Sequence, residues 1–219
     1  MNETPPMPHP SGDTTPVLQF EDLSFNYPGH RLLNQLSGDL KPGVTLVQGG
    51  DGRGKTTLMR LLAGDLQAQT GQLQINGIRM QDQAAIYRQQ LFWVDPRTTA
   101  FDQLTPLAFF ESQRKLYPRF DNTLLGTLLE SLDLACHTHK QLFMLSTGSK
   151  RKVWLATAFA SGASVTLLDM PFAALDQTSI GVLLDLLVTT APSSERAWVL
   201  ADYAAPAGVP LVATIHLGD

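Results

Sequence analysis

The sequence contains a single cysteine, Cys136. One cysteine excludes an intramolecular disulfide framework and fits a reducing compartment. With His137 and His139 it forms a close cluster of metal-ligating residue types. Three residues so close together need a distant fourth ligand to complete a tetrahedral site, so a solvated loop is the favoured interpretation.

Long apolar runs are absent as well. A membrane-spanning helix needs about 18 or more consecutive apolar residues, and no uncharged segment approaches that length. The N-terminus has no basic segment followed by an apolar one, so we expect no signal peptide. Any work at a membrane is therefore expected to depend on a partner.

Positive charge is also scarce. The 219 residues include 16 Lys or Arg and 20 Asp or Glu, which gives a formal net charge of −4. Domains that bind nucleic acid or anionic membranes usually carry clustered positive charge. The basic run at residues 150–152 is typical of a solvated helix face, so we predict no nucleic-acid partner. The length is sufficient for one α/β domain with a buried core.

What the sequence does contain is a phosphate-binding loop. The pattern Gly-x-x-x-x-Gly-Lys-Thr begins at Gly49 and ends with Lys55 and Thr56, between an apolar run and leucines at helical spacing. Glycines let backbone N–H groups approach phosphate oxygens, Lys55 would place a charge between the outer phosphates, and the Thr56 hydroxyl would bind Mg²⁺. A merely glycine-rich turn is the alternative, which the strand–loop–helix setting disfavours. The predicted nucleotide-binding residues here are Gly49, Gly50, Asp51, Gly52, Arg53, Gly54, Lys55, Thr56 and Thr57.

Apolar spacing predicts an α/β core around this loop, with a helical insertion. Between residues 101 and 140 the apolar residues fall at helical spacing, which predicts a helical lobe over about residues 97–160. Residues 1–16 carry five prolines and little apolar content, which predicts a disordered tail and leaves 17–219 as one domain. Other helices are predicted after the phosphate loop, up to residue 160 and near 179–187. Strands are predicted before the loop and at residues 17–25, 71–77, 91–94, 165–169, 197–201 and 211–216.

Four features occur in a characteristic order. Tyr27 precedes the phosphate loop, and Leu145-Ser146-Thr147-Gly148-Ser149 follows it. The predicted strand 165–169 then ends in Asp169, where a Mg²⁺-binding acid is expected after a phosphate loop. Ala174-Leu175-Asp176 comes shortly afterwards. This order resembles the nucleotide-binding domain of ABC transporters, whose signature Leu-Ser-Gly-Gly-Gln corresponds to the segment that begins at Leu145.

The resemblance covers about residue 17 to the C-terminus and implies an α/β P-loop NTPase core of ABC type with a helical subdomain and an antiparallel β edge. It implies that the chain binds ATP and Mg²⁺ and dimerises, with two nucleotides held between the phosphate loop of one subunit and the signature of the other. It also implies a second nucleotide-binding subunit, identical or different, and a separate transmembrane subunit. The expected location is therefore cytoplasmic, peripheral on the inner face of the cell membrane.

The resemblance also implies roles for individual residues. Tyr27 would stack on adenine, although an ordinary turn aromatic is the alternative. Ser146 and Gly148 would meet the γ-phosphate bound to the opposing subunit, and Ser146 could equally serve as a helix N-cap. The implied signature that acts in trans is Leu145, Ser146, Thr147, Gly148 and Ser149, the implied D-loop is Ala174, Leu175 and Asp176, and the implied Mg²⁺ ligands are Thr56 and Asp169.

Three positions depart from the family pattern, and all three handle the γ-phosphate or its attacking water. Met170 follows Asp169 where the family has a glutamate, and a thioether cannot accept a proton. Asp202 lies near the position of the switch histidine. Asp95 replaces the glutamine expected after the predicted strand 91–94, and it either binds Mg²⁺ directly or begins a turn before a proline. No intact catalytic residue is therefore predicted.

These departures predict an ATP-binding ABC transporter subunit with weak or absent hydrolysis at its own site. Losing a general base or water-positioning group typically slows a reaction by about 10²–10⁴. A non-hydrolytic, ATP-dependent regulatory clamp on a membrane complex is the alternative. A soluble ABC protein that acts on DNA or ribosomes usually has tandem domains or a long insertion, for which this chain has no room, and the order of motifs disfavours an unrelated P-loop kinase or GTPase.

Overall fold

Two β-sheets form the framework of the protein, for which a computed structural model describes residues 15–191 and 195–218. The predicted disordered tail at residues 1–16 lies outside the described residues except for its last two. The strands are β1 (Leu18–Tyr27), β2 (His30–Leu40), β3 (Gly43–Gln48), β4 (Thr70–Ile75), β5 (Ile78–Arg79), β6 (Leu91–Phe92), β7 (Val165–Asp169), β8 (Ala197–Asp202) and β9 (Leu211–His216). Strands β2-β1-β4-β5 form an antiparallel sheet, and β6-β7-β8-β3-β9 form a parallel one.

Six α-helices are found among the described residues, and most belong to the second half of the chain. The helices are α1 (Lys55–Leu62), α2 (Ala84–Gln89), α3 (Pro106–Leu116), α4 (Asn122–Ser131), α5 (Thr147–Ala160) and α6 (Gln177–Thr190). Short 3-10 helices lie at Ala135–His137 and Leu142–Met144. Thr105, Asp121, Ser146 and Asp176 cap α3, α4, α5 and α6, each accepting a backbone N–H with its side-chain oxygen.

The parallel sheet brings the ends of three strands together. Gln48 at the end of β3 is opposite Asp202 at the end of β8, and Asp169 at the end of β7 is opposite Ala201. Because the strands are parallel, the segments that follow β3, β7 and β8 all leave the sheet at the same edge. That edge is the usual place for a ligand site in a parallel sheet.

The parallel sheet lies between two hydrophobic clusters. Helix α1 and the antiparallel sheet pack on one face, where Phe20, Leu58 and Val199 belong to one cluster. Helices α3 to α6 pack on the other face, in a cluster that includes Trp198 and Leu200. Side chains alternate between the faces of a strand, which is why successive residues of β8 contribute to opposite clusters. The helical segment thus shares a core with the sheet that carries the site.

Most of the predicted elements are confirmed; the strand predicted at 71–77 is β4, which ends at Ile75 before a turn at Asn76 and Gly77, whose φ angles are 49° and 79°. Helix α2 was missed because six residues are too few to show a helical repeat of apolar positions; Tyr87 is its buried residue. Strand β6 ends at Phe92, earlier than predicted. The first helix of the predicted lobe begins at Pro106, and turns occupy the residues from 97 to 105.

Candidate nucleotide site

The phosphate loop connects β3 to α1 and folds around the side chain of Lys55. Gly52 and Gly54 have φ angles of 72° and 93°, a left-handed conformation that residues with a side chain rarely adopt. Lys55 is 7% exposed, and its ammonium donates hydrogen bonds to the carbonyl oxygens of Gly49 at 2.6 Å and Gly50 at 2.9 Å. The predicted loop residues are thereby assembled at the N-terminus of α1, where the backbone N–H groups can receive an anion.

Thr56 and Asp169 meet at the same edge of the parallel sheet. The Thr56 hydroxyl donates a 2.6 Å hydrogen bond to Asp169 Oδ2. Asp169 is 8% exposed, and within the described part of the chain its Oδ1 atom is buried with no hydrogen-bond partner. Burial raises the pKa of Asp169, and the hydrogen bond from Thr56 opposes that shift.

This pair of side chains fits a Mg²⁺ ion. Hydroxyl and carboxylate oxygens are the hard donors that Mg²⁺ prefers, and the ion usually keeps several waters while one or two protein groups and the phosphates complete its shell. A buried carboxylate oxygen with no protein partner is one that an ion or its water shell would satisfy. When bound, the ion would neutralise phosphate charge, and Thr56 and Asp169 would hold it.

A cleft of about 430 Å³ lies over the loop and gathers most of the predicted nucleotide-binding residues. Tyr27 is at its mouth, 41% exposed, with its ring in an edge contact with Phe25. The predicted residues that line the cleft are Tyr27, Gly50, Asp51, Gly52, Arg53, Gly54, Lys55, Thr56, Thr57, Asp169 and Met170. Gly49 contributes its carbonyl oxygen to Lys55 instead.

Met170 lies beside Asp169 in the cleft and is held by its main chain. Its φ angle is 48°, which is uncommon for a residue other than glycine. Its N–H donates to the Ala201 carbonyl at 2.9 Å, and its carbonyl accepts a hydrogen bond from Arg151. Arg151 also donates to the Asp169 carbonyl, so helix α5 fixes the end of β7. The backbone is therefore fixed, while the side chain at this position is a thioether.

Asp202 and Tyr203 follow the neighbouring strand β8. Asp202 Oδ1 accepts the N–H of Tyr203 at 2.7 Å. The Tyr203 hydroxyl donates to Asp51 Oδ1, and its ring lies over Lys55, with the ammonium nitrogen 4.3 Å from the ring centroid. This contact could not be predicted from the sequence, because no local pattern indicates that β8 and β3 are neighbours. The order of the sheet supplies that information.

Asp95 lies at the start of a turn, which is one of the two roles predicted for it. Its Oδ1 atom accepts the N–H of Arg97 at 2.9 Å and lies 3.5 Å from Arg97 Nε. Arg97, which the sequence analysis did not single out, lines the cleft near Asp169. A direct role of Asp95 as a Mg²⁺ ligand stays a prediction.

The signature segment and the predicted D-loop are packed against each other, away from the cleft. Ser146 caps α5, accepting the Ser149 N–H at 3.1 Å, while a Cβ atom on Gly148 would lie 2.4 Å from the Ala174 carbonyl oxygen. Asp176 forms an ion pair with Lys152 at 2.7 Å, and hydrogen bonding to Lys152 lowers the pKa of this carboxyl. Of the signature residues, Leu145 is buried and contributes to the core, whereas Ser146 and Thr147 are exposed; Leu175, in the predicted D-loop, packs against the same hydrophobic cluster.

Two further predictions concern metal and membrane. Cys136 is exposed, and His137 Nδ1 lies 3.3 Å from the Lys140 ammonium in a short 3-10 helix. Over residues 15–191 and 195–218, no group of three or more His, Cys, Asp or Glu side chains is placed to hold a metal ion. None of the helices in those ranges is long and apolar enough to cross a membrane.

The fold and the cleft together define a P-loop nucleotide-binding protein. The loop lies between β3 and α1, and a threonine–aspartate pair joins it to β7. A family model described as ABC transporter matches residues 33–173. The chain belongs to the ABC transporter family, as one of its ATP-binding subunits, and the resemblance inferred from the sequence is confirmed.

Two relatives illustrate the range of the family. The cytochrome c biogenesis ATP-binding export protein CcmA of Pseudomonas savastanoi pv. phaseolicola is 34% identical over 175 residues, which cover 77% of this chain and 79% of that protein. The taurine import ATP-binding protein TauB of Pseudomonas fluorescens is 34% identical over 163 residues, which cover 73% of this chain and 61% of that protein. One name states export and the other import, so what the matched region shares is ATP binding rather than a direction of transport.

Solved structures confirm the fold class. An ATP-binding subunit of an ABC transporter superposes with a TM-score of 0.74 at 23% identity, covering 85% of this chain and 79% of the other. A Pyrococcus furiosus protein described as a putative ABC transporter ATP-binding protein gives 0.72 at 21% identity, covering 91% and 96%. The predicted α/β core of ABC type is therefore correct.

Proposed function

We propose that this ATP-binding subunit holds MgATP in the cleft over the phosphate loop and hydrolyses it weakly or not at all at its own site. The observation that carries the proposal is that one cleft has the residues that bind phosphate and Mg²⁺ but lacks the residues that act on the attacking water. Lys55, Thr56 and Asp169 keep the arrangement that receives a triphosphate and its metal ion. Met170 follows Asp169, where the family has a glutamate, and Asp202 lies near the position of the switch histidine, with Tyr203 next to it in the cleft.

The binding half of the proposal is supported by the geometry around Lys55 and Asp169. The loop glycines and the N-terminus of α1 provide N–H groups for phosphate oxygens, and Tyr27 offers an exposed ring at the mouth of the cleft for a base. The buried Oδ1 atom of Asp169 provides a site for Mg²⁺ or its water.

The hydrolysis half is supported by what the side chains at these two positions can do. A thioether neither accepts a proton nor aligns a water strongly, and a phenol hydroxyl already bonded to Asp51 is a poor substitute for an imidazole. Loss of a water-positioning group slows catalysis by about 10²–10⁴, whereas the interactions that bind the phosphates are unaffected.

We also infer a second nucleotide-binding subunit and a transmembrane partner. Ser146 and Thr147 are exposed and do not line the cleft, which suits contact with nucleotide held by another subunit. The names of CcmA and TauB describe ATP-binding proteins of export and import systems, which work on substrates that cross a membrane. The part of the helical lobe around residues 95–117, within the lobe of about 97–160 in the domain 17–219, would contact the transmembrane subunit and hold the chain on the inner face of the membrane.

Calorimetric titration of the full chain with MgATP tests the binding half of this proposal. We expect Lys55→Ala to weaken binding by about tenfold or more, because a charge-assisted contact with the phosphates is lost. Lys115→Ala, an exposed lysine of α3, is the matched control and should bind like the wild type. Equal affinity of all three proteins would reject the assigned site.

ATPase activity of the native membrane complex separates this proposal from the regulatory clamp. A complex that contains a second nucleotide-binding chain with an intact glutamate, and that turns over ATP, would support the transporter subunit with a silent site of its own. A complex that dimerises with MgATP and shows no turnover at either site would support the clamp instead.

A further inference from the structure

Tyr203 connects the end of β8 to the phosphate loop that follows β3. Its hydroxyl donates to Asp51 Oδ1, and its ring lies over Lys55 at 4.3 Å. Gln48, the last residue of β3, donates from Nε2 to the Tyr203 carbonyl at 2.9 Å. The side chain of Tyr203 therefore contacts the phosphate loop and Lys55, and its main chain is held by the strand that leads into that loop.

The ring of Tyr203 completes the surroundings of the Lys55 ammonium. An ammonium group has three N–H donors. Two carbonyl oxygens, those of Gly49 and Gly50, accept hydrogen bonds from it, and the ring covers another side. A phosphate that binds Lys55 must replace one of these partners. The ring is the easiest to displace, because a cation–π contact is weaker than a charge-assisted hydrogen bond and Tyr203 is itself 48% exposed.

Asp51 is a carboxylate inside the phosphate loop, and its negative charge would repel a phosphate bound there. The hydrogen bond from Tyr203 fixes the direction of this carboxylate, and it raises the pKa of Tyr203 above its ordinary value. The negative groups that act on the tyrosine hydroxyl are Asp51, Asp202 and Asp169, while the positive group against its ring is Lys55. This arrangement of Asp51, Tyr203 and Lys55 is more compatible with an empty phosphate loop than with a loop that holds a triphosphate.

We propose that Tyr203 is a latch on the phosphate loop, which holds Lys55 and Asp51 in a closed arrangement until a triphosphate displaces its side chain. The identity of the displacing ligand rests on the proposed function. Tyr203 is 48% exposed and lies with Ala204 in a bend, and Ala204 and Ala205 are exposed. The side chain can therefore swing into solvent without opening the hydrophobic core. In this role Tyr203 is a positioning residue that sets the affinity of the site.

Binding of MgATP to the full chain, measured by calorimetry, tests the latch. Tyr203→Phe keeps the ring over Lys55 and loses the bond to Asp51, and Tyr203→Ala loses both contacts. The latch predicts an affinity that rises from wild type to the Phe variant to the Ala variant, by about threefold to tenfold for Ala, because the closed arrangement no longer competes. Phe143→Ala, an exposed aromatic residue outside the cleft, is the control and should not change the affinity.

The other outcomes are equally decisive. Weaker binding by both Tyr203 variants would overturn the latch, because the side chain would then hold the nucleotide rather than oppose it. Equal affinity in all variants would overturn it too. If the Ala variant binds MgATP and the wild type does not, the proposed function of the wild type fails while the latch stands. If neither binds, both fail.

A second measurement separates the latch from a purely structural role of Tyr203. Fluorotyrosine placed at position 203 reports the ionisation of this side chain by ¹⁹F NMR in the unliganded full chain. With Asp51→Asn, the latch predicts a pKa of the 203 side chain that falls towards the ordinary value of fluorotyrosine, because the carboxylate acceptor is gone. An unchanged pKa would show that the contact with Asp51 does not exist in solution and would overturn the latch.

Discussion

At the scale of single residues, Asp169 is a binding-site side chain whose burial lowers the stability of the unliganded protein. Its Oδ2 atom accepts a hydrogen bond from Thr56, while Oδ1 is buried with no partner in the described part of the chain. Burial raises the pKa of this carboxyl, which means that the folded state penalises its ionised form. A group with such an unmet requirement is expected where a ligand supplies what the protein does not.

The charge on Asp169 should therefore destabilise the unliganded protein at neutral pH. Because the folded pKa is raised, stability falls as the pH rises from the ordinary Asp pKa of about 3.9 through the raised value. We expect Asp169→Asn to be more stable than the wild type by about 1 kcal/mol at pH 7, and the difference to vanish below the ordinary pKa. Urea unfolding at several pH values without Mg²⁺ measures this.

The matched control is Asp185→Asn, at an exposed position outside the cleft on α6, which should leave the free energy of unfolding at pH 7 nearly unchanged. A loss of stability in Asp169→Asn at pH 7 would show that the carboxylate is not penalised by burial. The same variant should bind MgATP more weakly, which a calorimetric titration would report.

Met170 illustrates a different relation between backbone and side chain. The N–H and carbonyl groups of Met170 bond to β8 and to Arg151, and its left-handed φ angle is accommodated by these contacts. The backbone thus directs whatever side chain stands at position 170 towards the cleft that contains Asp169. Whether residue 170 can act as a base toward the attacking water therefore depends on its side chain alone, and a methionine side chain has no basic group.

At the scale of elements, helix α5 and the segment before α6 form one packed unit. Gly148 lies so close to Ala174 that a Cβ atom would be 2.4 Å from its carbonyl oxygen, which is a backbone atom with little room to move. The ion pair between Lys152 and Asp176 joins the same two segments. The signature and the predicted D-loop are therefore fixed to one another within the chain.

This packing predicts a large effect of a small substitution. We expect Gly148→Ala to lower the free energy of unfolding by about 1–3 kcal/mol, because the added methyl group forces the backbone at Ala174 to shift. Gly126→Ala is the matched control, since Gly126 lies within the exposed face of α4 with open space around it. That control should raise stability by about 0.5–1 kcal/mol through helix propensity. Denaturant unfolding of both variants measures the contrast, and equal effects would contradict the packing.

Elements that depend on local patterns could be predicted from the sequence, whereas contacts that depend on the order of strands could not. The phosphate loop and β7 were predicted because glycine spacing and a buried apolar run are local features. Tyr203 was missed because its position over Lys55 follows from β8 lying beside β3. Helix α2 was missed because its six residues are too few to show a helical repeat of apolar positions.

At the scale of the whole molecule, two functional surfaces are separated. The cleft contains the phosphate loop and Asp169, and the exposed signature residues Ser146 and Thr147 do not line it. Under the proposed function, a nucleotide that contacts both surfaces would draw the signature residues from a second subunit, and this chain would contribute its own signature to a partner's nucleotide.

A single-turnover experiment on the full chain tests this account most directly. Radiolabelled MgATP is bound to excess protein, and the conversion of bound ATP to ADP is followed for the wild type, Met170→Glu and the uncharged control Met170→Gln. We predict that the wild type and the Gln control retain intact ATP, and that the Glu variant converts it about tenfold faster or more, because it restores a base beside Asp169. Rapid conversion by the wild-type protein, sensitive to Lys55→Ala, would contradict the account.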